Sequence, residues 1–447
     1  PYSGVRRERI AQKEFIEVLT SPFTEDEKTI IDLSRAARRI GSLCAKIRRV
    51  PMSDNTAHCS VTSSGEFWST TIRGGQAQAV KDALIRVLTR KPVLDEEEIT
   101  PFGTVHHLAG VPLWRTLFRE SPLETPGEFM DLFPYIKEQN PRALGLDEVL
   151  GKQLMYVAWK DREDIPTLRA SIVPELGDKA RHVTLSEYWL GVLQAPLGHL
   201  LVDAMKYHPS VFSSFHRQDQ AWEAAKGLSS LKGQFDLEER NLWVLSSDLK
   251  DATNAQRFRL SKALLQAFCD GYGLFADNTY RDFVLDLIGP RRIWFQDGTV
   301  IVTNKGIMMG EPIAKPALTI LNLAIEELAF LRFTKKEHVL DSNMPSPHRS
   351  WRYCHIGGDD HVAMGPAPYL DGISEIHHAA GSHIDPGKHG RSRILVKYTE
   401  RLLDLKNLKY KKPFDEDDPS RSLIVDSLKV KLLSTGYSTL LKKDNKN

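Results

Sequence analysis

Apolar residues recur at helical spacing near the start of the chain. Ile30, Ile31, Leu33, Ala37, Ile40 and Leu43 fall near one face, and Thr24 and Glu27 stand at capping-box spacing. The pattern predicts a helix over 24–49. A second amphipathic helix is predicted over Gln76–Lys91, and a long, mostly apolar one over Ser186–Tyr207. The stretch 91–150 is rich in Pro, Gly and turn residues and reads as irregular connection. Further on the period shortens. Lys179 to Thr184 alternates as a short strand does. Leu242–Leu245 is an apolar strand that ends at Asp248, and Ala255–Cys269 reads as the helix after it. Ile293–Val302 reads as a hairpin about Asp297-Gly298. It feeds a loop bearing Gly306 and Gly310, then a helix over Ile313–Phe333 with Pro316 in its first turns. Trp351–Met364 reads as strand, tight turn at Gly357-Gly358-Asp359-Asp360, strand. Arg391–Leu405 reads as strand into helix, and Ser422–Leu433 as helical.

At 447 residues the chain has room for about three domain-sized units or one large multi-lobed domain. With 41% hydrophobic and 26% charged residues it has the composition of an ordinary globular protein. A net charge of only +2 means that a polyanion would be met by local basic patches, not by a global field. Cys44, Cys59, Cys269 and Cys354 form no C-x-x-C pair, which points to reduced thiols instead of disulfides or zinc. The most apolar run, Ala317–Leu331, is interrupted by Glu326 and Glu327, so no membrane span is expected. No signal peptide is visible, and a chain that opens on Pro1 is expected to be a fragment or a processed product.

Charge then adds candidate chemistry. The first helix carries Arg35, Arg38, Arg39, Lys46, Arg48 and Arg49 with no acid between Asp32 and Asp54. That suits either a solvated face or a surface for RNA phosphates. Lys179 and Arg181 share one side of their strand, a point charge and a fork suited to a triphosphate. Asp248 follows an apolar strand, where a metal ligand or a helix cap can stand. Asp359 and Asp360 are adjacent carboxylates at a turn, a repulsion that a divalent cation would remove. His106-His107 has the wrong spacing for one metal site, and His377, His378, His383 and His389 lie in a loop-like stretch with no second ligand cluster.

The order of these segments resembles the palm of viral RNA-dependent RNA polymerases, in particular the narnavirus and ourmia-like (botourmiavirus) branch. The match rests on Lys179-x-Arg181 with Val183-Thr184 (motif F), Ser247-Asp248-Leu249 with Ala252-Thr253 (motif A) and Gly306-x-x-Met309-Gly310-x-Pro312 (motif B). It continues in Gly357-Gly358-Asp359-Asp360 (motif C), Lys388-His389 and Glu400 (motifs D and E), and covers about 174–405. The resemblance implies an α+β right-hand fold, with an antiparallel palm sheet flanked by helices. Fingers with an N-terminal extension would take 1–185, the palm 186–254 and 301–405, a fingers insertion 255–300, and a partial thumb or tail 406–447.

It also implies roles. Asp248 and Asp359, supported by Asp360, would hold two Mg²⁺ or Mn²⁺ ions. Lys388 would be the general acid for the leaving group. Lys179 and Arg181 would hold the NTP, and Gly306, Met309, Gly310 and Pro312 would position template and nucleotide. Family members carry an acid where this chain has Asn254, so Asn254 with Thr319 or Asn322 is expected to read the ribose 2′-hydroxyl. The Ser/Thr that normally follows the motif B Pro is replaced by Ala314-Lys315. The implied function is replication of a viral positive-strand RNA genome in the host cytoplasm, with RNA template, product and NTPs as partners. The short C-terminal part makes a second chain completing the thumb a further expected partner. The competing readings are a non-catalytic RNA-binding protein, a metal-dependent nuclease and a reverse transcriptase.

Overall fold

The computed structural model describes residues 2–48, 51–52, 59, 61–62, 64–113, 146–175, 179–216, 219–232, 237–274, 279–342, 349–399, 401–405 and 424–426. The chain begins with helices α1 (Tyr2–Thr20), α2 (Glu27–Ile47) and α3 (Gly75–Leu88), then a hairpin of β1 (Glu96–Thr100) and β2 (Gly103–His107). Helix α4 (Leu146–Asp161), strands β3 (Thr167–Glu175) and β4 (Lys179–Ser186), and helices α5 (Tyr188–Met205), α6 (Phe212–Phe215) and α7 (Gln220–Lys232) follow. Next are β5 (Leu242–Lys250), α8 (Phe258–Tyr272), α9 (Thr279–Asp286), β6 (Arg292–Trp294), β7 (Val300–Val302) and α10 (Ala314–Phe333). The last elements are β8 (Tyr353–Gly357), β9 (Asp360–Pro366), α11 (Ala367–Ala380), β10 (His383–Ile384), β11 (Gly390–Ser392), β12 (Leu395–Tyr398), β13 (Arg401–Asp404) and β14 (Ile424–Asp426).

The architecture is α+β, and its centre is an antiparallel sheet in the order β10-β5-β9-β8, with β11 also pairing β5. Helices α10 and α11 bury Ile320, Leu323, Phe330, Tyr369 and Ile373 in the main core together with Leu245, Ile356 and Ala363 of the sheet. A second sheet has the order β4-β3-β6-β7, with β6 parallel to β3. Among the described residues no helix is long and apolar enough to cross a membrane.

Helix α2 forms as its periodicity predicts, but Asp26 is its cap and not Thr24. The Asp26 carboxylate accepts from the backbone N–H of Lys28 and of Thr29, both at 3.2 Å. A carboxylate at that position also faces the positive end of the helix dipole. Of the basic residues in and just after α2, three are held by acids of other elements. Arg35 binds Asp341, Arg48 binds Asp203, and Arg39 pairs with Glu327 at 3.1 Å while donating to the carbonyls of Val339 and Ser342. They are anchors that tie α2 to the body of the protein. Arg38 and Lys46 remain on the exposed side, and Arg49 lies outside the described residues. Helix α2 lies so close to α8 that a Cβ on Gly271 would fall 1.9 Å from the Arg38 carbonyl oxygen. Only a residue without a side chain permits that approach.

Three further expectations are corrected. Part of 91–150 is ordered as the β1–β2 hairpin and α4. The run of Glu96 to Glu98 hides a strand because its repulsion is relieved from elsewhere: Glu98 meets Lys160 and the Tyr156 hydroxyl at 2.8 Å and His107 at 3.1 Å. Residues 391–405 make short antiparallel strands instead of strand and helix. Val396, Tyr398, Leu403 and Leu405 are buried at alternate positions against Ala221, Ala224 and Leu228. Within 422–433, Ile424–Asp426 is a strand paired with β13, and the remaining residues lie outside those described.

Candidate active site

Strand β5 runs past its apolar segment to Lys250, so Asp248 sits within a strand rather than after one. Its Cα partner across the sheet is Asp360, the first residue of β9. Directly opposed residues in an antiparallel pair stand about 4.5–5.5 Å apart at Cα and point the same way. Strands β8 and β9 are joined by Gly358 and Asp359 alone, with Gly357 opposite Asp360 and Gly358 at φ +80°. A backbone N–H at Leu249 donates to the Asp359 carbonyl at 3.2 Å, fastening the turn to β5. Two distant segments therefore bring three acids to one end of the sheet.

The Asp359 carboxyl stands above the ordinary carboxylate range, first because of burial and then because of the Asp248 charge; Lys388 and Arg181 pull the other way. The residue as a whole is open to solvent at the turn tip. Arg181, on β4 of the second sheet, is thus brought within electrostatic reach of the turn. The Lys179 backbone lies on the same strand, but its side chain is outside the described residues, as is Glu400.

Lys388 reaches the site because β10 and β11 pair with β5 on either side of Asp248, at 249–250 and at 244–246. The loop between them passes over the acid. Its Asp385 N–H donates to the Asp248 carbonyl at 3.0 Å, and the Lys388 ammonium makes an ion pair with the Asp248 carboxylate. His389 Nδ1 and Ser247 Oγ are hydrogen-bonded at 3.0 Å beneath it. His377 and His378 belong to α11, not to a loop, and His383 to β10. His361 and His377 stack at 5.1 Å, and burial pushes His361 down to about 4. They are neutral core residues, and no group of three or more His, Cys, Asp or Glu among the described residues is drawn together to hold a metal.

The three acids still fit a divalent ion. They are hard oxygen donors, and Mg²⁺ takes one or two carboxylates with waters and substrate phosphates in preference to an all-protein cage. Asp248 is held by an ammonium and Asp359 is crowded by like charge, a repulsion that a bound cation would relieve.

The glycine loop is held from both sides. Gly306 has φ +104°, and a Cβ there would come 2.6 Å from Met308 Cε and 3.1 Å from the Asn254 carbonyl oxygen. Its N–H donates to Gln256 O at 2.7 Å, and that of Ile307 to Thr253 O at 3.0 Å, joining this loop to the turn after β5. Met309 is exposed at the loop tip, while Gly310 faces the Thr184 carbonyl of β4. The Pro312 carbonyl packs on Gly198 of α5.

Sequence reasoning misses what grips this loop. Glu311, buried between Gly310 and Pro312, takes two hydrogen bonds from Arg291 at 2.9 and 2.8 Å and one from Gln194 at 2.9 Å. An acid inside a glycine loop is the available signal; Arg291 and Gln194 give none. Of the ribose candidates, Thr319 donates its hydroxyl to Lys315 O within α10. Asn322 donates to the Gly358 carbonyl at 2.8 Å, and its Oδ1 is buried without a partner. Asn254 lies in the turn tied to Gly306.

An acid pair thus stands in strand register, with Arg181 within electrostatic reach and a clamped glycine loop tied to the turn after β5. The chain is 27% identical over 253 residues to the RNA-directed RNA polymerase of Saccharomyces 23S RNA narnavirus, a match covering 54% of this chain and 25% of the relative. It is 25% identical over 253 residues to that of Saccharomyces 20S RNA narnavirus, covering 55% and 27%. The narnavirus resemblance expected from the motifs is thereby borne out. The chain spans about a quarter of the length of these curated relatives. No family model matches it. Among solved structures, the RNA-dependent RNA polymerase of a human picobirnavirus superposes with a TM-score of 0.40 at 12% identity, covering 56% of this chain and 49% of that one. An insertion-loop deletion mutant of that polymerase gives 0.41 at 11% identity, covering 56% and 51%.

Proposed function

We propose that this chain is the catalytic part of a narnavirus-type RNA-directed RNA polymerase. The observation that carries the proposal is the register of Asp248 with Asp360, beside Asp359, in a chain similar to two narnavirus polymerases. In this reading β5, β8 and β9 are the palm, the β4-β3-β6-β7 sheet belongs to the fingers, and RNA is the template.

A pair of divalent ions, when bound by these carboxylates, would acidify the primer 3′-hydroxyl and neutralise the leaving pyrophosphate. The chain's own residues do the rest. Arg181, with Lys179 beside it in sequence, takes the triphosphate by charge and forked hydrogen bonds. Lys388 is held beside the acids by its loop, where its ammonium can give a proton to pyrophosphate. The Gly306–Pro312 loop, gripped through Glu311, sets the floor on which template and nucleotide meet. The four free thiols suit a reducing compartment, and work in the host cytoplasm on a positive-strand RNA genome belongs to the same proposal.

Labelled-NTP incorporation on a short RNA template tests this. The wild-type chain should extend the product with Mg²⁺ or Mn²⁺ and stop on addition of EDTA. RNA that is shortened would mean a nuclease, and extension with dNTPs alone a reverse transcriptase.

Ribose selection is tested separately. The Oδ1 of Asn322 is buried and has no hydrogen-bond partner, and in this reading it accepts from the ribose 2′-hydroxyl. One neutral hydrogen bond is worth about 1 kcal/mol, so Asn322→Leu should lower the NTP-to-dNTP preference roughly fivefold. Asn254→Asp should alter that preference as well, and an unchanged ratio would remove Asn254 from the ribose site.

A further inference from the structure

The β4-β3-β6-β7 sheet has two unlike faces. On one, Leu168, Ala170 and Ile293 are buried against Phe15 and Leu19 of α1, with Phe295 and Met308. Side chains alternate along a strand, so the residues between them point the other way. That other face carries Arg169, Arg181, Arg292, Trp294, Val300 and Val302. The register sets Trp294 between Arg169 on one side and Val300 on the other, with Arg292 opposite Val302. Trp294 is 46% exposed, Val300 43% and Val302 47%.

A solvated sheet face has no use for an open tryptophan flanked by valines, and a plain apolar docking face has no use for arginines set among them. The combination suits unpaired nucleic acid, whose bases stack on aromatic rings while its phosphates meet guanidinium groups. Direction comes from Arg181, which belongs to this face and acts on Asp359. At its β4 edge the sheet also adjoins the glycine loop, where the Thr184 carbonyl packs on Gly310.

We propose that this face is a platform for single-stranded template RNA, with one base stacked on Trp294 and adjoining phosphates on Arg169 and Arg292. The strand reaches the Gly358–Asp359 turn from there. The proposal rests on the polymerase reading for the word template and on the sheet itself for the binding.

The test uses the full chain and a labelled oligouridylate of about 12 nucleotides, within the span of single-strand sites. Affinity is read by anisotropy in EDTA without NTPs. Trp294→Ala should weaken binding about tenfold or more, and Trp294→Phe should keep most of it. Arg292→Gln should lower the slope of log affinity against log salt by about 0.7. Photocrosslinking of 5-iodouridine RNA to the unaltered chain should mark the peptide containing Trp294. Binding by Trp294→Ala within about twofold of wild type, equal loss in Trp294→Phe, or crosslinks confined to other peptides overturns the platform. Trp294-dependent binding in a chain that incorporates no nucleotide would overturn the polymerase reading and leave the platform standing. Incorporation without Trp294-dependent binding does the reverse.

Discussion

Asp359→Asn is expected to lower nucleotide incorporation about 10³-fold or more while leaving RNA binding close to wild type. The substitution keeps the size and the turn but removes a charge from the acid group at the end of the central sheet. Metal stabilisation of the reacting oxygens is worth several kcal/mol, and each 1.36 kcal/mol is a factor of ten in rate. The same variant should gain stability in EDTA at neutral pH, because Asp359 ionises next to Asp248 and is partly desolvated. The sign follows from the raised pKa. Relative to Asn, the ionised Asp359 costs stability above that pKa, and the cost disappears as pH falls through it. Solvent reaches the turn, so the gain should be no more than about 1 kcal/mol. Incorporation in Asp359→Asn at the wild-type rate would falsify the site.

The second large effect lies outside the acids. Arg291 and Glu311 are each about 1% exposed as side chains and bind each other through two hydrogen bonds. Arg291→Met leaves Glu311 charged and unpaired in the interior, which costs about 3–5 kcal/mol. Equilibrium unfolding by urea should show that loss. The double variant Arg291→Met with Glu311→Met should recover much of it, since a buried pair replaced as a whole by apolar side chains is often neutral. Incorporation should fall in the single variant more than stability alone explains at low temperature, because Glu311 also holds Gln194 and the glycine loop. If the single and double variants unfold alike, the pair is not what holds the loop.

Elements with strong periodicity are legible in the amino-acid sequence. The α2 and α10 helices and the hairpins at Asp297-Gly298 and Gly358-Asp359 lie within a few residues of their expected positions. Their signals are local: a repeating apolar face, a proline near a helix start, glycine at positive φ. The β1–β2 hairpin and the strands after 391 escape such a reading because their pairing partners and burial come from remote segments. Propensity has no access to such neighbours. The arginines of α2 show the same limit. Their number is plain, but only the positions of Asp341, Glu327 and Asp203 turn them from a surface into anchors.

The amino-acid sequence by itself singled out the candidates for the chemistry, Asp248, Asp359, Asp360, Arg181 and Lys388, in an order that resembles a polymerase palm. Tertiary structure alone decided that Asp248 stands opposite Asp360, that a loop between two short strands drops Lys388 onto Asp248, and that a buried arginine grips the glycine loop. The division has a physical cause. Residue type is written at each position, whereas register and burial depend on which distant strands share hydrogen bonds, and that is settled only when the whole core packs.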